Sequence, residues 1–284
     1  MNILILLRPV RDPAGFTVNR AAEKIFVNRE GFIFNPSDRN ALEAGLTLAA
    51  ELASAGGGVQ SQRDASQLNA SRLGAPTVTA VAYGGEPAED LLRQALAMGA
   101  NRAVLVAEPD WETPDAFALT NGLKRVVAHI GATDLILLGA DVVDADLAQV
   151  GPRLAEALGW PFVEGAYGAK AVGDGIITLV VADSAASRPR AYRAVQADGP
   201  VVASVVRDSN RPRFAPAPQI MRVYTSPQAV ERLSLADLEL TSADVVPTTR
   251  RRGESFPAPL KLGTVLDGAD EESVRRVVEA LRQG

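Results

Sequence analysis

One stretch of this chain is well suited to hold a nucleotide: Asp134 to Gly151, DLILLGADVVDADLAQVG, where an apolar run ends on a glycine and passes through three carboxylates into a helix. In an open parallel sheet, ligands settle beyond the carboxyl ends of the strands, and the free amides of a helix N-terminus attract phosphate. The carboxylates are Asp141, Asp144 and Asp146. Asp146 with Gln149 three residues on has the form of a capping box, which predicts a helix from Asp146 to Leu158 with Leu147, Val150, Leu154 and Leu158 on its inner face. Taken alone, such aspartates can be plain helix caps. Two other turns offer related chemistry. Asn35-Pro36-Ser37-Asp38 is a turn-and-cap sequence, and Tyr83-Gly84-Gly85 is a glycine turn behind an apolar run.

Composition removes most alternatives. With 284 residues, 47% hydrophobic and 22% charged, the chain reads as a soluble globular protein of one large or two small domains. Lys plus Arg number 29 against 34 Asp plus Glu, so no general basic field draws it to nucleic acid or anionic lipid. The absence of Cys excludes disulfides, thiolate catalysis and thiolate-held metal clusters. His129 is the only histidine, and on a predicted helix it reads as a surface or packed residue; a Ser-His-Asp triad would have to use it. The N-terminal MNILILLRP has no basic region before its short apolar run, so it reads as a β-strand of a cytoplasmic protein with no membrane insertion.

Positioning these residues requires alternating strands and helices. Strands are expected at 3–7, 77–82, 102–106, 135–138 and 201–206. Helices are expected over 38–54, capped by Asn35, Ser37 or Asp38, then from Pro87 to a stop at Gly99, over 114–130, and over 146–158. After Trp160-Pro161, which reads as a packed aromatic at a tight connection, the β-like runs 165–172, 176–182 and 190–195 suggest added antiparallel strands. The expected fold class is α/β: an open, mostly parallel sheet with helices on both faces, a Rossmann-like adenine-nucleotide-binding fold with extra antiparallel strands and a C-terminal arm. Residues 1–240 form the nucleotide-binding domain, with a polar insertion at 60–74 read as mobile. Residues 241–284 form the arm, with the basic run Arg250-Arg251-Arg252 and a last amphipathic helix over 271–282.

Several stretches together resemble the β subunit of electron transfer flavoproteins: ILILLRPVRD, FNPSDRNALEAG from Phe34, QALAMGANRAVLV from Gln94, and the Asp134–Gly151 run followed by Gly159-Trp160-Pro161. RPRFAPAPQIM, from Arg211, is similar to the family's partner-recognition loop. The resemblance implies a heterodimer whose α subunit holds most of the redox-active FAD, while this subunit binds AMP or, in electron-bifurcating relatives, a second FAD. Electrons would pass from a flavin dehydrogenase to a membrane quinone reductase, with the flavin rather than side chains doing the redox chemistry. The implied cofactor-binding positions are Leu6, Asn35, Pro36, Ser37, Asp38, Tyr83, Gly139, Asp144, Asp146, Gln149, Val150 and Gly151. The implied recognition residues are Arg213, Phe214, Ala217, Ile220, Met221 and Arg222, and the arm would dock on the α subunit.

The departures from the family pattern carry information of their own. Against G-K-Q-A-I-D-D-D-x-N-Q-T-G, Ala140, Asp141, Ala145, Ala148 and Val150 stand where the family has Lys, Gln, Asp, Asn and Thr. Hydrogen bonds from the amide and hydroxyl lost at Ala148 and Val150 are worth about 0.5–1.5 kcal/mol net each, which leaves phosphate binding either to rest on backbone amides or to be weak. Ala217 replaces a leucine and shrinks an apolar anchor, which points to an unusual dehydrogenase partner. A different reading is a stand-alone adenine-nucleotide sensor resembling universal stress proteins, but the late G-x-x-G phosphate loop that it requires is absent after Gly175. An ATP-pyrophosphatase-like enzyme would need a Ser/Gly-rich loop after the first strand, where Arg8-Pro9-Val10-Arg11-Asp12 stands instead.

Overall fold

Alternating apolar runs and amphipathic helices build a nine-stranded sheet, as seen in a computed structural model that describes residues 1–27, 31–57, 75–107, 115–143, 148–172, 176–183, 191–226, 228–249 and 270–283, with isolated residues between 256 and 268. The elements are β1 (Asn2–Leu7), β2 (Pro9–Arg11), β3 (Phe16–Asn19), β4 (Lys24–Val27), β5 (Phe32–Phe34), α1 (Pro36–Gly57), β6 (Thr77–Gly84), α2 (Glu86–Met98), β7 (Arg102–Ala107), α3 (Ala116–Ile130) and β8 (Leu135–Gly139). They continue with α4 (Val150–Leu158), β9 (Phe162–Val172), β10 (Ile176–Ala182), β11 (Tyr192–Ala197), β12 (Val201–Val205), α5 (Ala217–Tyr224), β13 (Glu231–Leu233) and α6 (Glu271–Gln283). The sheet order is β11-β10-β9-β12-β8-β1-β6-β7-β13. Only β9-β10 and β10-β11 are antiparallel in it, so the fold is α/β with the expected antiparallel extension.

Strand alternation divides the core into two layers. Ile3, Ile5 and Leu7 face one side and pack with Leu42, Leu46 and Leu48 of α1 and Leu92, Ala95 and Met98 of α2. Leu4 and Leu6 face the other, with Leu119, Leu123 and Val126 of α3 and Val150 and Leu154 of α4. Helix α1 comes close enough to the sheet that a Cβ on Gly45 would lie 2.7 Å from Ile5 Cδ1. Helix α2 ends as expected, at Gly99, with φ near 120° and its amide bonded to the carbonyls of Ala95 and Leu96.

The chain runs β1, β6, β7 in one direction across the sheet and then returns past β1 to β8 and β12. The strand order therefore reverses between β1 and β8. The ladder between these strands stops at Ile5–Leu137, whereas β1 stays paired with β6 to Leu7–Ala82 and β8 with β12 to Gly139–Val205. The strands part at their carboxyl ends and leave a crevice at the switch point, where α/β sheets bind ligands.

Some boundaries differ from the sequence reading. Helix α4 begins at Val150, after an N-cap Gln149 that makes no side-chain cap bond; the expected start and capping box at Asp146 lie outside the described residues. The short strands β2, β5 and β13 and helix α5 were not anticipated, because three to eight residues carry too little periodicity. By internal contacts the chain forms two units: 1–17 with 26–251, and 18–25 with 252–284. Residues 241–249 thus group with the larger unit, where Asp115 accepts from the backbone and hydroxyl groups of Thr248 and Thr249. Within the smaller unit, α6 exposes Val274, Val277, Val278 and Leu281 along one helical stripe. The expected insertion at 60–74 and the basic run Arg250–Arg252 lie outside the described residues. Among the described residues, no helix is long and apolar enough to cross a membrane.

Candidate functional site

The crevice is bridged by a buried ion pair. Arg8 follows the last residue of β1, and Asp38 lies in the first turn of α1. One Asp38 oxygen accepts from Arg8 N at 2.9 Å and Nε at 3.0 Å; the other accepts from Arg8 Nη2 and from Gly139 N at 2.8 Å. Arg8 Nη2 also donates to Gly139 O at 3.0 Å, so one guanidinium ties the ends of both strands. Arg8 is 5% exposed and Asp38 is fully buried, where paired, hydrogen-bonded charges are tolerated and lone ones are not. Gly139 is fixed by this packing, since a Cβ there would lie 2.5 Å from Asp38 Oδ1 and 2.6 Å from Ser37 Oγ.

The neighbouring turn secures the loop after β8. Asn35 immediately precedes α1, and its carbonyl accepts the first helical bond, from Arg39 N. Its buried side chain serves the loop instead of capping the helix: Nδ2 donates to Asp141 O at 2.7 Å, and Oδ1 accepts from Val143 N at 3.3 Å. Ser37 Oγ donates to Asp141 O at 2.9 Å and also to the Asp141 carboxylate. Pro36 occupies the first helical position, where no amide donor is needed.

The remaining sequence-derived positions divide by burial. Leu6 and Tyr83 point into the α3–α4 layer, and Tyr83 sits against Gly122, where a Cβ would lie 2.7 Å from its ring. Val150 is fully buried in the same layer, so its side chain anchors α4 rather than facing a ligand. Gly151 lets α4 close onto β9, since a Cβ would lie 2.8 Å from the Phe162 ring. Gln149 Oε1 accepts from Arg153 at 3.2 and 3.1 Å. Asp144 and Asp146 lie outside the described residues. Asn35, Ser37, Asp38 and Gly139 therefore gather around the crevice, whereas the side chains of Leu6, Tyr83 and Val150 turn into the core and leave only backbone.

Two features escaped the sequence reading. Arg8 is the first, although its place directly after the first strand was a signal. Its Nη1 is buried and has no hydrogen-bond partner among the described residues. An adenine nucleotide fits such a site: a buried donor wants an acceptor, and Asp38 already accepts four hydrogen bonds. The second is an open cleft of about 690 Å³ over the ends of β6 and β7, lined by Gly84, Gly85, Asp90, Leu105 and Tyr224 among others. Within it Glu89 pairs with both Arg93 and Arg232. Burial alone would raise the Glu89 carboxyl, but hydrogen bonds from Arg232 and Arg93 outweigh it and hold the group below its ordinary value. The nucleotide-type residues gather at the crevice and not at this cleft.

Over residues 60–238 the sequence matches the model of the electron transfer flavoprotein domain family. The chain belongs to the electron transfer flavoprotein family. It is similar along its length to the electron transfer flavoprotein subunit beta of Bacillus subtilis, with 30% identity covering 99% of this chain and 98% of the relative. The acryloyl-CoA reductase electron transfer subunit gamma of Anaerotignum propionicum is 29% identical, covering 100% of this chain and 98% of the relative. A caffeyl-CoA reductase-Etf complex subunit of Acetobacterium woodii is 26% identical, covering 91% and 89%.

In this flavoprotein subunit the segment that resembles a recognition loop is fastened to α1. Asn40 exchanges hydrogen bonds with Asn210, and Arg213 forks onto Glu43 at 2.9 Å through both Nε and Nη2. Burial pushes the Glu43 carboxyl up, but the Arg213 fork outweighs it and holds the group below the usual carboxylate range. Arg93 caps the end of α5 by donating to Val223 O at 2.9 Å, and Tyr224 donates to Asp90. Burial and that bond push the Tyr224 hydroxyl up to about 12. Held at both ends, the segment exposes Phe214 at 86% and Met221 at 66%, with Ala217, Ile220 and Arg222 also on the surface.

Proposed function

We propose that this chain is the β subunit of a heterodimeric electron transfer flavoprotein of the cytoplasm, which binds AMP in the β1/β8 crevice beside an α subunit carrying most of the FAD. Bound flavin supplies the redox chemistry, accepting electrons from a flavin dehydrogenase and passing them to a quinone reductase. This chain's own residues bind and orient. The observation that carries the reading is the switch point between β1 and β8, bridged by Arg8, Asp38 and Gly139, in a chain of this family. Nucleotide contacts would come from Leu6, the Asn35–Asp38 turn, the end of β6 at Tyr83 and the loop from Gly139. Phosphate would rest on the amides of Gln149–Gly151 at the start of α4, because the buried Val150 offers no polar side chain.

The exposed Phe214, Ile220 and Met221 would dock on the dehydrogenase, with Ala217 leaving a shallow anchor. The Val274–Leu281 stripe of α6 would dock on the α subunit. The likeness to electron-transfer subunits of acryloyl-CoA and caffeyl-CoA reductases supports a redox partner of the acyl-CoA reductase kind. The test is mass spectrometry of small molecules released by denaturing the tagged chain, purified with whatever it retains from its own cells. AMP with one FAD and an α-like chain is the expected outcome, and two FAD per complex would indicate bifurcation. ATP without flavin or partner would refute the reading in favour of a nucleotide sensor.

A further inference from the structure

Arg8 is clamped along one edge. Its Nε and Nη2 both reach the Asp38 carboxylate, and Nη2 also reaches Gly139 O. The guanidinium is a rigid plane, so fixing that edge fixes the direction of Nη1. Yet Nη1, on a side chain only 6% exposed, has no partner among the described residues. Buried guanidinium donors are normally matched, and this one stands where β1 and β8 part. Asp38 cannot turn to meet it without giving up the four donors it holds.

We infer that Arg8 is a ligand-reading residue of the crevice, whose Nη1 donates to a neutral acceptor of the bound nucleoside, either a ring nitrogen of the base or a ribose oxygen. The inference rests on the adenine-nucleotide reading given above. Charge selects the neutral acceptor over phosphate. The Arg8 cation is already balanced by Asp38, and the Asp141 carboxylate lies one hydrogen bond away from Ser37, so the described groups of the crevice sum to a negative charge. A phosphate brought to Nη1 would meet that charge, whereas the amides at the start of α4 offer it a better place.

The test is isothermal titration calorimetry on the full chain stripped of nucleotide, with AMP and adenosine as probes. Arg8→Lys keeps a cation for Asp38 and Gly139 but removes the Nη1 donor. The expected result is that Arg8→Lys weakens AMP and adenosine alike, by roughly 10-fold, the loss for one charged hydrogen bond. Weakening of AMP alone would make Nη1 a phosphate donor and overturn the inference, and so would unchanged binding of both. A wild-type chain that binds neither probe refutes the nucleotide reading itself, a result distinct from either. Should Arg8→Lys not fold, the wild-type chain is titrated with 1-, 3- and 7-deazaadenosine and 2′- and 3′-deoxyadenosine. Loss of affinity with one of them is expected, and equal affinity for all overturns the inference.

Discussion

Replacing Asp38 by asparagine tests whether the crevice is built on a buried charge pair. The two residues have the same shape, so no cavity opens. Asp38 accepts four hydrogen bonds, two at each oxygen, from Arg8 and Gly139. Whichever way the new amide turns, its NH2 faces donors and two of those bonds are lost. Arg8, 5% exposed, keeps its charge without a counter-ion, since a guanidinium does not lose its proton in this range. Breaking a buried pair by removing one partner costs about 3–5 kcal/mol, against a total stability of about 5–15 kcal/mol. For a domain of this size that lowers Tm by roughly 6–20 °C. The assay is urea denaturation at pH 7 followed by circular dichroism, at fixed protein concentration and with the slope checked for constancy. Adding Arg8→Met to Asp38→Asn removes the stranded cation, so the double variant should lose less than the sum of the singles. A loss below about 1 kcal/mol for Asp38→Asn, or simple additivity in the double variant, would refute the reasoning.

Gly139→Ala should be destabilising by about 1–3 kcal/mol, because its Cβ would fall 2.5 Å from Asp38 Oδ1, 2.6 Å from Ser37 Oγ and 2.7 Å from Asp38 N, none of them the end of a long flexible side chain; an unchanged melting temperature would show that the turn yields freely. Asp115 gives a pH-dependent prediction. Burial would raise its carboxyl, but hydrogen bonds from Ala118, Thr248 and Thr249 outweigh that and lower it to about 2 from 3.8. The folded state therefore binds fewer protons in this window, and the stability gained is fully present above about pH 4 and lost as pH falls towards 2. Asp115→Asn should cost about 1–2 kcal/mol at pH 7, after discounting for solvent screening, and should flatten the acid limb of the stability curve; an unaltered slope between pH 4 and 2 would contradict this.

What the sequence revealed, and what it concealed, follows from how each element is stabilised. The five central strands were legible because each is an apolar run buried on both faces, and Leu135–Leu138 is an unbroken example. Helix α2 was legible because Pro87 and Gly99 mark its ends by local backbone chemistry alone. Strand β13 was not, because the pairing of Glu231–Leu233 with Val104–Val106 is made by tertiary contact across more than a hundred residues. The site shows the same division. Asn35, Ser37, Asp38 and Gly139 were named through the family resemblance, at a turn signature and a strand end that are both local signals, and the structure brings them together. Arg8 was read only as the absence of a phosphate loop, because its meaning depends on partners 30 and 131 residues away. Val150 shows the converse. Its position after the aspartates suggested a ligand contact, but the pitch of α4 turns it into the core, so the polar group missing from the sequence was replaced by packing. Local sequence thus fixed where the crevice opens, and long-range pairing determined which side chains its walls present.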